Sequence, residues 1–282
     1  MQVITDPAAL GPYFGGVFVP TMGALHAGHA RLVECARDLP ARREAPIVVS
    51  VFVNPTQFND PADLARYPRT LEADVEVCRR AGAEVVFAPG VSAVYPQGST
   101  SPPRDLPAVA TEPQLEDAHR PGHFAGVCQV VRRLFELVRP RAAVFGEKDW
   151  QQLQVIRAMS EQEDLGVEIV PVPTVREHDG LAMSSRNIFL SPDARSRAAA
   201  ISGALCEAGA ARTVPAAQAR MREILLAAGL VVEYAVVREP RTLMPLPADA
   251  THGRALIAAQ VRSGAGMVRL IDNAEWRASP ES

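Results

Sequence analysis

A chain of 282 residues has room for one large domain or two ordinary ones. With 48% hydrophobic and 22% charged residues it can bury a substantial core, which excludes an intrinsically disordered chain. A formal net charge of -3 without a basic block argues against a protein whose main work is gripping a nucleic-acid backbone.

The opening stretch, MQVITDPAALGPYF, has no charged segment followed by an apolar one, so no signal peptide is expected. No apolar run reaches membrane-spanning length, and a cytoplasmic protein is expected. Apolar, β-rich runs then alternate with helical patterns. VFV (17–19) precedes HARLVECARDL (29–39), and IVVSVFV (47–53) precedes TLEADVEVCRRAG (70–82). EVVFAP (84–89) is followed, after a long interval, by GVCQVVRRLFELV (126–138). AAVFG (142–146) leads into DWQQLQVIRAMSEQE (149–163), and VEIVPVP (167–173) follows. Strands apolar throughout and interleaved with helices predict a parallel sheet covered on both faces. Five such strands predict an α/β, doubly wound open sheet spanning 1–173, with ligands at the carboxyl ends of its strands.

The stretches 54–68 and 98–107 are rich in turn-forming residues and are expected as loops bordering a pocket. After residue 173 the pattern changes. ARSRAAAISGALCEAGAA and AAQARMREILLAA read as two helices, and VVEYAVVRE, ALIAAQVR and GMVRLIDNAEW as antiparallel strands. A smaller C-terminal α+β domain over 174–282 is expected. Cys35, Cys78, Cys128 and Cys206 are far apart in apolar, helix-like stretches without zinc or disulfide spacing, and are expected to be reduced core residues.

Three constellations carry chemistry. PTMGALHAGHARLV (20–33) follows a strand and opens a helix. Gly23 and Gly28 permit a tight turn, and a helix N-terminus offers N–H groups and a positive dipole end to phosphate. His26 and His29, three apart, fall on one side of the first turn. A lone HxxH favours a structural turn with two solvated histidines; here strand, glycines and helix start coincide. GEKD (146–149) holds Lys148, the only lysine of the chain, again between strand and helix. Arg is a planar fork and Lys a mobile point charge, so Lys148 suits a phosphate contact where compositional drift towards Arg is the alternative. LAMSSRN (181–187) sets two hydroxyls beside a guanidinium, which suits phosphate but is also common in turns. Gln57 and Gln152 can hold hydroxyls and carboxylates without a full charge. Arg120 and His123, in RPGHF, are either a second basic edge or ordinary loop residues.

In this order PTMGALHAGH, VFVNPTQF, YPRTLEAD, RPGHFAGV, FGEKDWQQL and MSSRN resemble the pantothenate synthetase (pantoate–β-alanine ligase) family. PTMGALHAGH is similar to the HIGH-type signature of a wider nucleotidyltransferase superfamily, and MSSRN to its KMSKS-type counterpart. The resemblance implies a Rossmann-like ATP-binding domain, a smaller lid domain and a homodimer. It implies condensation of (R)-pantoate with β-alanine through a pantoyl adenylate, releasing AMP and pyrophosphate, with Mg²⁺ accompanying ATP. By analogy Met22, Gly23, Ala24, Leu25, His26, Ala27, Gly28, His29, Gly146, Glu147, Lys148, Asp149, Val175, Met183, Ser184, Ser185 and Arg186 would contact ATP. His29 would donate a proton. His26, Lys148, Ser184, Ser185 and Arg186 would stabilise phosphate charge. Gln57 would touch pantoate and β-alanine, and Gln152 pantoate. Thr56 stands where Met is common and Trp150 where Tyr is common. Rival readings are a nucleotidyltransferase that leaves its adenylyl group on the product, a piece of an aminoacyl-tRNA synthetase, and an inactive ATP sensor.

Overall fold

A computed structural model describes residues 1–39, 45–58, 64–65, 67–96 and 105–279. Parts of the two expected loops, 59–63, 66 and 98–104, lie outside the described residues. The chain divides into two compact units, one of Met1–Glu147 and Gln151–Pro173, the other of Lys148–Trp150 and Thr174–Ser282.

The first unit is a Rossmann-like α/β layer structure. Its sheet contains β1 (Gln2–Ile4), β2 (Val17–Thr21), β3 (Ile47–Val51), β4 (Val85–Phe87), β5 (Ala142–Gly146) and β6 (Glu168–Val172). Every pairing is parallel, in the order β1-β4-β3-β2-β5-β6. Five strands stand where the apolar runs predict them. The sixth, β1, is a correction: only three residues long, it buries Ile4 alone, so no apolar run betrays it. An edge strand needs only one buried neighbour and can be that short. The central strands are buried on both faces, as a parallel sheet requires; Val17, Phe18, Val19, Ile47, Val48 and Val49 are fully buried.

From β2 the chain winds through β3 to β4 on one side, then crosses to β5 and β6 on the other. The strand order therefore reverses between β2 and β5, the switch point where such sheets bind ligands. Helix α1 (Ala27–Asp38) follows β2, α2 (Leu71–Ala81) precedes β4, and α3 (His123–Val138) precedes β5. Gly82, with φ of 98°, ends α2 in the left-handed conformation that favours glycine. Helix α4 (Trp150–Gln162) joins β5 to β6.

The second unit packs three helices on an antiparallel sheet, β7 (Val231–Arg238), β8 (His252–Ser263) and β9 (Gly266–Arg277). The first expected helix is in fact two, α5 (Pro192–Ala198) and α6 (Ala200–Ala208), meeting at Ala199. Helix α7 (Val214–Ala227) matches the second. Its core joins Ile201, Met221, Leu225, Ile257 and Trp276. The four cysteines are free, and Cys78 and Cys128 are buried as expected; Cys35 is half-buried and Cys206 exposed, so those two depart from the expectation. No described helix is long and apolar enough to cross a membrane.

Candidate active site

At the end of β2 the backbone leaves the sheet under tight local control. Thr21 Oγ1 donates to the Ser50 carbonyl at 2.6 Å and accepts from Gly23 N at 3.3 Å. Gly23 has φ of 87°, and a Cβ there would lie 2.9 Å from Asp74 Oδ2 and 3.1 Å from Val51 Cγ1, so no other residue fits unstrained. Ala24 also has positive φ, 51°, a costly conformation for a residue with a Cβ. Asp74 holds it. The carboxylate is 1% exposed and accepts from Ala24 N at 3.1 Å and Leu25 N at 2.7 Å, with Thr70 Oγ1 donating to it at 3.2 Å. Asp74 lies in YPRTLEAD, yet its role was not readable there, because its partners are 49 and 50 residues away.

His26 is the N-cap of α1. Its Nδ1 accepts from Gly28 N at 3.1 Å, and His29 Nδ1 accepts in return from His26 N at 3.3 Å, a reciprocal capping box. The rings lie 4.1 Å apart between centroids. With both Nδ1 atoms accepting, each neutral imidazole carries its hydrogen on Nε2 and can donate from that side. Ala27 and Gly28 form the first turn, so the helix N-terminus and both imidazoles converge on one spot. At the neighbouring strand end, Gly146 closes β5 and Glu147 begins a short 3-10 turn.

Gln57 is 8% exposed in the turn Pro55–Gln57 after β3. Its Nε2 points at Met22 Sδ, 2.6 Å away, and its Oε1 accepts from Asn54 Nδ2 at 3.2 Å. Asn54 also donates to the Gly126 carbonyl at 3.2 Å, and its Oδ1 accepts from Tyr95 Oη at 3.0 Å. Burial pushes the Tyr95 hydroxyl above its ordinary pKa. Of the RPGHF pair, His123 has structural partners. It is buried at the start of α3, its Nε2 lies 3.0 Å from Arg120 Nη1, and its Nδ1 3.1 Å from the Gln57 carbonyl. Arg can only donate, so His123 accepts at Nε2 and donates from Nδ1, pinning the backbone of Gln57. Gln152 is half-buried on α4, while its neighbour Gln151 is fully buried and bonded to Glu116 N, the Val109 carbonyl and Asp117.

The remaining expected ATP contacts lie in the second unit. Lys148 Nζ stands 3.8 Å from Asp149 Oδ2, and the Lys148 carbonyl accepts from Asn273 Nδ2 at 2.8 Å. Val175 and Met183 face each other across a short hairpin, Met183 N donating to the Val175 carbonyl at 2.9 Å, with Arg176 bridging Ala182. Ser184 caps the turn Ser185–Phe189, accepting from Arg186 N at 3.2 Å; Ser185 is half-buried and Arg186 exposed. Asn187 binds Glu177 Oε1 at 2.6 Å and the Ala182 carbonyl at 3.1 Å, and Arg195 binds Glu177 and Asp179. Burial alone would raise the Glu177 carboxyl, but the Arg195 and Asn187 hydrogen bonds outweigh it and hold the pKa low. Among the described residues no group of three or more His, Cys, Asp and Glu side chains has the makings of a metal site.

A doubly wound sheet whose switch point carries a His-capped helix N-terminus defines a Rossmann-like nucleotide-binding protein. The sequence model of the pantoate-beta-alanine ligase family matches residues 15–275. The chain belongs to that family. It is 51% identical over 269 residues to the pantothenate synthetase of Nocardioides sp., covering 90% of this chain and 77% of that one. The pantothenate synthetase of Thermus thermophilus superposes with a TM-score of 0.86 at 43% identity, covering 97% of this chain and 99% of that one. The Francisella tularensis pantoate-beta-alanine ligase, crystallised with beta-gamma ATP and beta-alanine, superposes with a TM-score of 0.75 at 29% identity, covering 97% of each chain.

Proposed function

We propose that this chain joins pantoate to β-alanine through a pantoyl adenylate, using the side chains described above. Membership of the family makes it an ATP-dependent pantoate–β-alanine ligase. The observation that carries the adenylate route is the reciprocal His26–His29 cap on the helix that opens at the switch point. An adenylate forms when a carboxylate oxygen attacks the α-phosphorus of ATP and pyrophosphate leaves. The substrate supplies that nucleophile, and the β-alanine amine supplies the next, expelling AMP from the acyl carbon. The protein's task is then to position the reactants and stabilise charge.

Met22–His29 face the phosphates with the positive end of α1 and the two imidazoles. His29 donates a hydrogen bond from Nε2 to the leaving oxygen as charge develops on it. Lys148, Ser184, Ser185 and Arg186 complement the triphosphate charge, with Gly146, Glu147, Asp149, Val175 and Met183 completing the nucleotide contacts. Gln57 and Gln152 hold pantoate, and amides rather than arginines leave the carboxylate lone pairs available for attack. Mg²⁺ arrives with ATP; it keeps several waters and needs few protein ligands. Residues 174–282 act as the lid, and the chain works as a cytoplasmic homodimer.

The test is release of AMP with ATP and Mg²⁺, adding pantoate and β-alanine singly and together. AMP only with both establishes the two-step route. Pyrophosphate without AMP, with the adenylyl group left on an acceptor, overturns it.

A further inference from the structure

We propose that Asn273 is a positioning residue for Lys148, and that Asp272 and Arg176 extend its hold to the hairpin delivering Met183–Arg186. The proposal rests on the reading of Lys148 and Ser184–Arg186 as phosphate ligands given above. Asn273 lies in β9 and is 3% exposed. Its Nδ2 donates to the Lys148 carbonyl at 2.8 Å, and its Oδ1 accepts from Arg254 Nε at 2.7 Å. A carbonyl can only accept and a guanidinium only donate, so the two partners fix which way the amide faces. Arg254 lies over the Trp150 ring, 3.6 Å from its centroid, and Trp150 Nε1 donates to the Pro240 carbonyl at 2.7 Å. Lys148 and the residue two positions on are thus both fastened to structure from the far end of the chain.

The connection continues through the backbone. Asn273 N donates to Asp272 Oδ1 at 2.8 Å. Asp272, also 3% exposed, is held by Arg176 as a fork, Nη1 to Oδ2 at 2.6 Å and Nη2 to Oδ1 at 3.1 Å. Arg176 in turn donates to the Gly180 carbonyl at 3.1 Å and bridges Ala182, one residue before Met183. Hydrogen bonds joined through the covalent frames of Asn273 and Arg176 therefore link the Lys148 carbonyl to the segment that presents Ser184.

The physical need is clear from Lys148 itself. A lysine is a point charge on a flexible stem, so its placement is only as good as that of its backbone. That backbone lies in the three-residue turn Glu147–Asp149, a short and weakly bonded form. Electrostatic stabilisation of a transition state requires donors that are already in place. Asn273 supplies that anchor, its amide donating to the Lys148 carbonyl and accepting from Arg254 at once.

The experiment is a double-mutant cycle of Asn273→Asp with Lys148→Ala, reading kcat/KM for AMP formation and the melting temperature. Asp keeps an acceptor for Arg254 and loses the donor to Lys148. Asn273→Asp alone should lower kcat/KM on the order of tenfold or more, the scale of a small misplacement. In the Lys148→Ala background it should cost less than about twofold, because coupled residues are non-additive. Equal losses in both backgrounds overturn the proposal. If Asn273→Asp does not fold, the same cycle between Asp272→Asn and Ser184→Ala decides: non-additivity upholds the relay and additivity overturns it. A wild-type chain that forms no AMP defeats the functional reading itself, whereas an active wild type with additive losses defeats only the role of Asn273.

Discussion

Replacing Asp74 by Asn would turn an NH₂ group towards a backbone N–H that now finds a carboxylate oxygen. Ala24 N and Leu25 N share that carboxylate, and Ala24 is held at positive φ against its own preference. Leaving one buried donor unmet costs about 1–3 kcal/mol. Asp74→Asn should therefore lower unfolding stability by about that amount and raise the KM for ATP, since the loop that precedes His26 relaxes. Denaturant titration and initial rates at varied ATP check both; an unchanged KM would leave Asp74 a purely structural residue. At Lys148 the argument concerns shape. Lys148→Arg keeps the charge but substitutes a planar fork, and Lys148→Ala removes the charge. Alanine should cost on the order of 100-fold in rate, the scale of losing one preorganised donor. Nearly full kcat/KM in the arginine variant would show that the only lysine of the chain is there by drift.

Among elements, α3 and the turn Pro55–Gln57 meet backbone to backbone. A Cβ at Gly126 would lie 2.4 Å from the Thr56 carbonyl oxygen and 2.8 Å from Gln57 Cα, both backbone atoms that cannot swing aside. Gly126→Ala must push the turn off the helix, and overpacking of this kind costs about 1–3 kcal/mol. Because the turn carries Gln57, the KM for pantoate should rise more than the KM for ATP; an equal rise in both would refute this division of labour. The joint also shows what was legible in the sequence. PTMGALHAGH and GEKD could be placed between strand and helix because strand, turn and helix start are local patterns, whereas MSSRN, a small polar cluster, drew its meaning from the family resemblance. Strands β2 to β5 could be placed because burial on both faces makes them apolar throughout; β6, a half-buried edge strand, still carries an apolar run. His123 remained ambiguous, since its partner is the Gln57 carbonyl 66 residues away. Asp74 and Asn273 carry no pattern of their own; each is an isolated polar residue whose meaning depends on a distant backbone group. The break at Ala199 was invisible because alanine favours helix on either side of it.

For the molecule as a whole, the cysteines report opening of the first unit. Burial pushes the Cys78 and Cys128 thiols up to about 12, so in the folded state neither forms a thiolate near neutral pH. Cys78 lies on α2, in the core that α1 and α2 share with the sheet, and Cys128 lies on the buried side of α3. Cys206, in the second unit, is exposed. A thiol reagent at pH 8 should modify Cys206 quickly, and Cys78 and Cys128 only when the first unit opens. A ligand that binds only the folded form suppresses that opening by mass action. At 100 times its dissociation constant the stabilisation is about 2.7 kcal/mol, on the order of a 100-fold slower reaction. Saturating ATP with Mg²⁺ should therefore slow labelling of Cys78 and Cys128 to that degree and leave Cys206 unaffected, as followed by mass spectrometry of the labelled peptides. Unslowed labelling at Cys78 and Cys128 would mean that the first unit does not hold the nucleotide, and the assignment of Met22–His29 to its phosphates would fall with it.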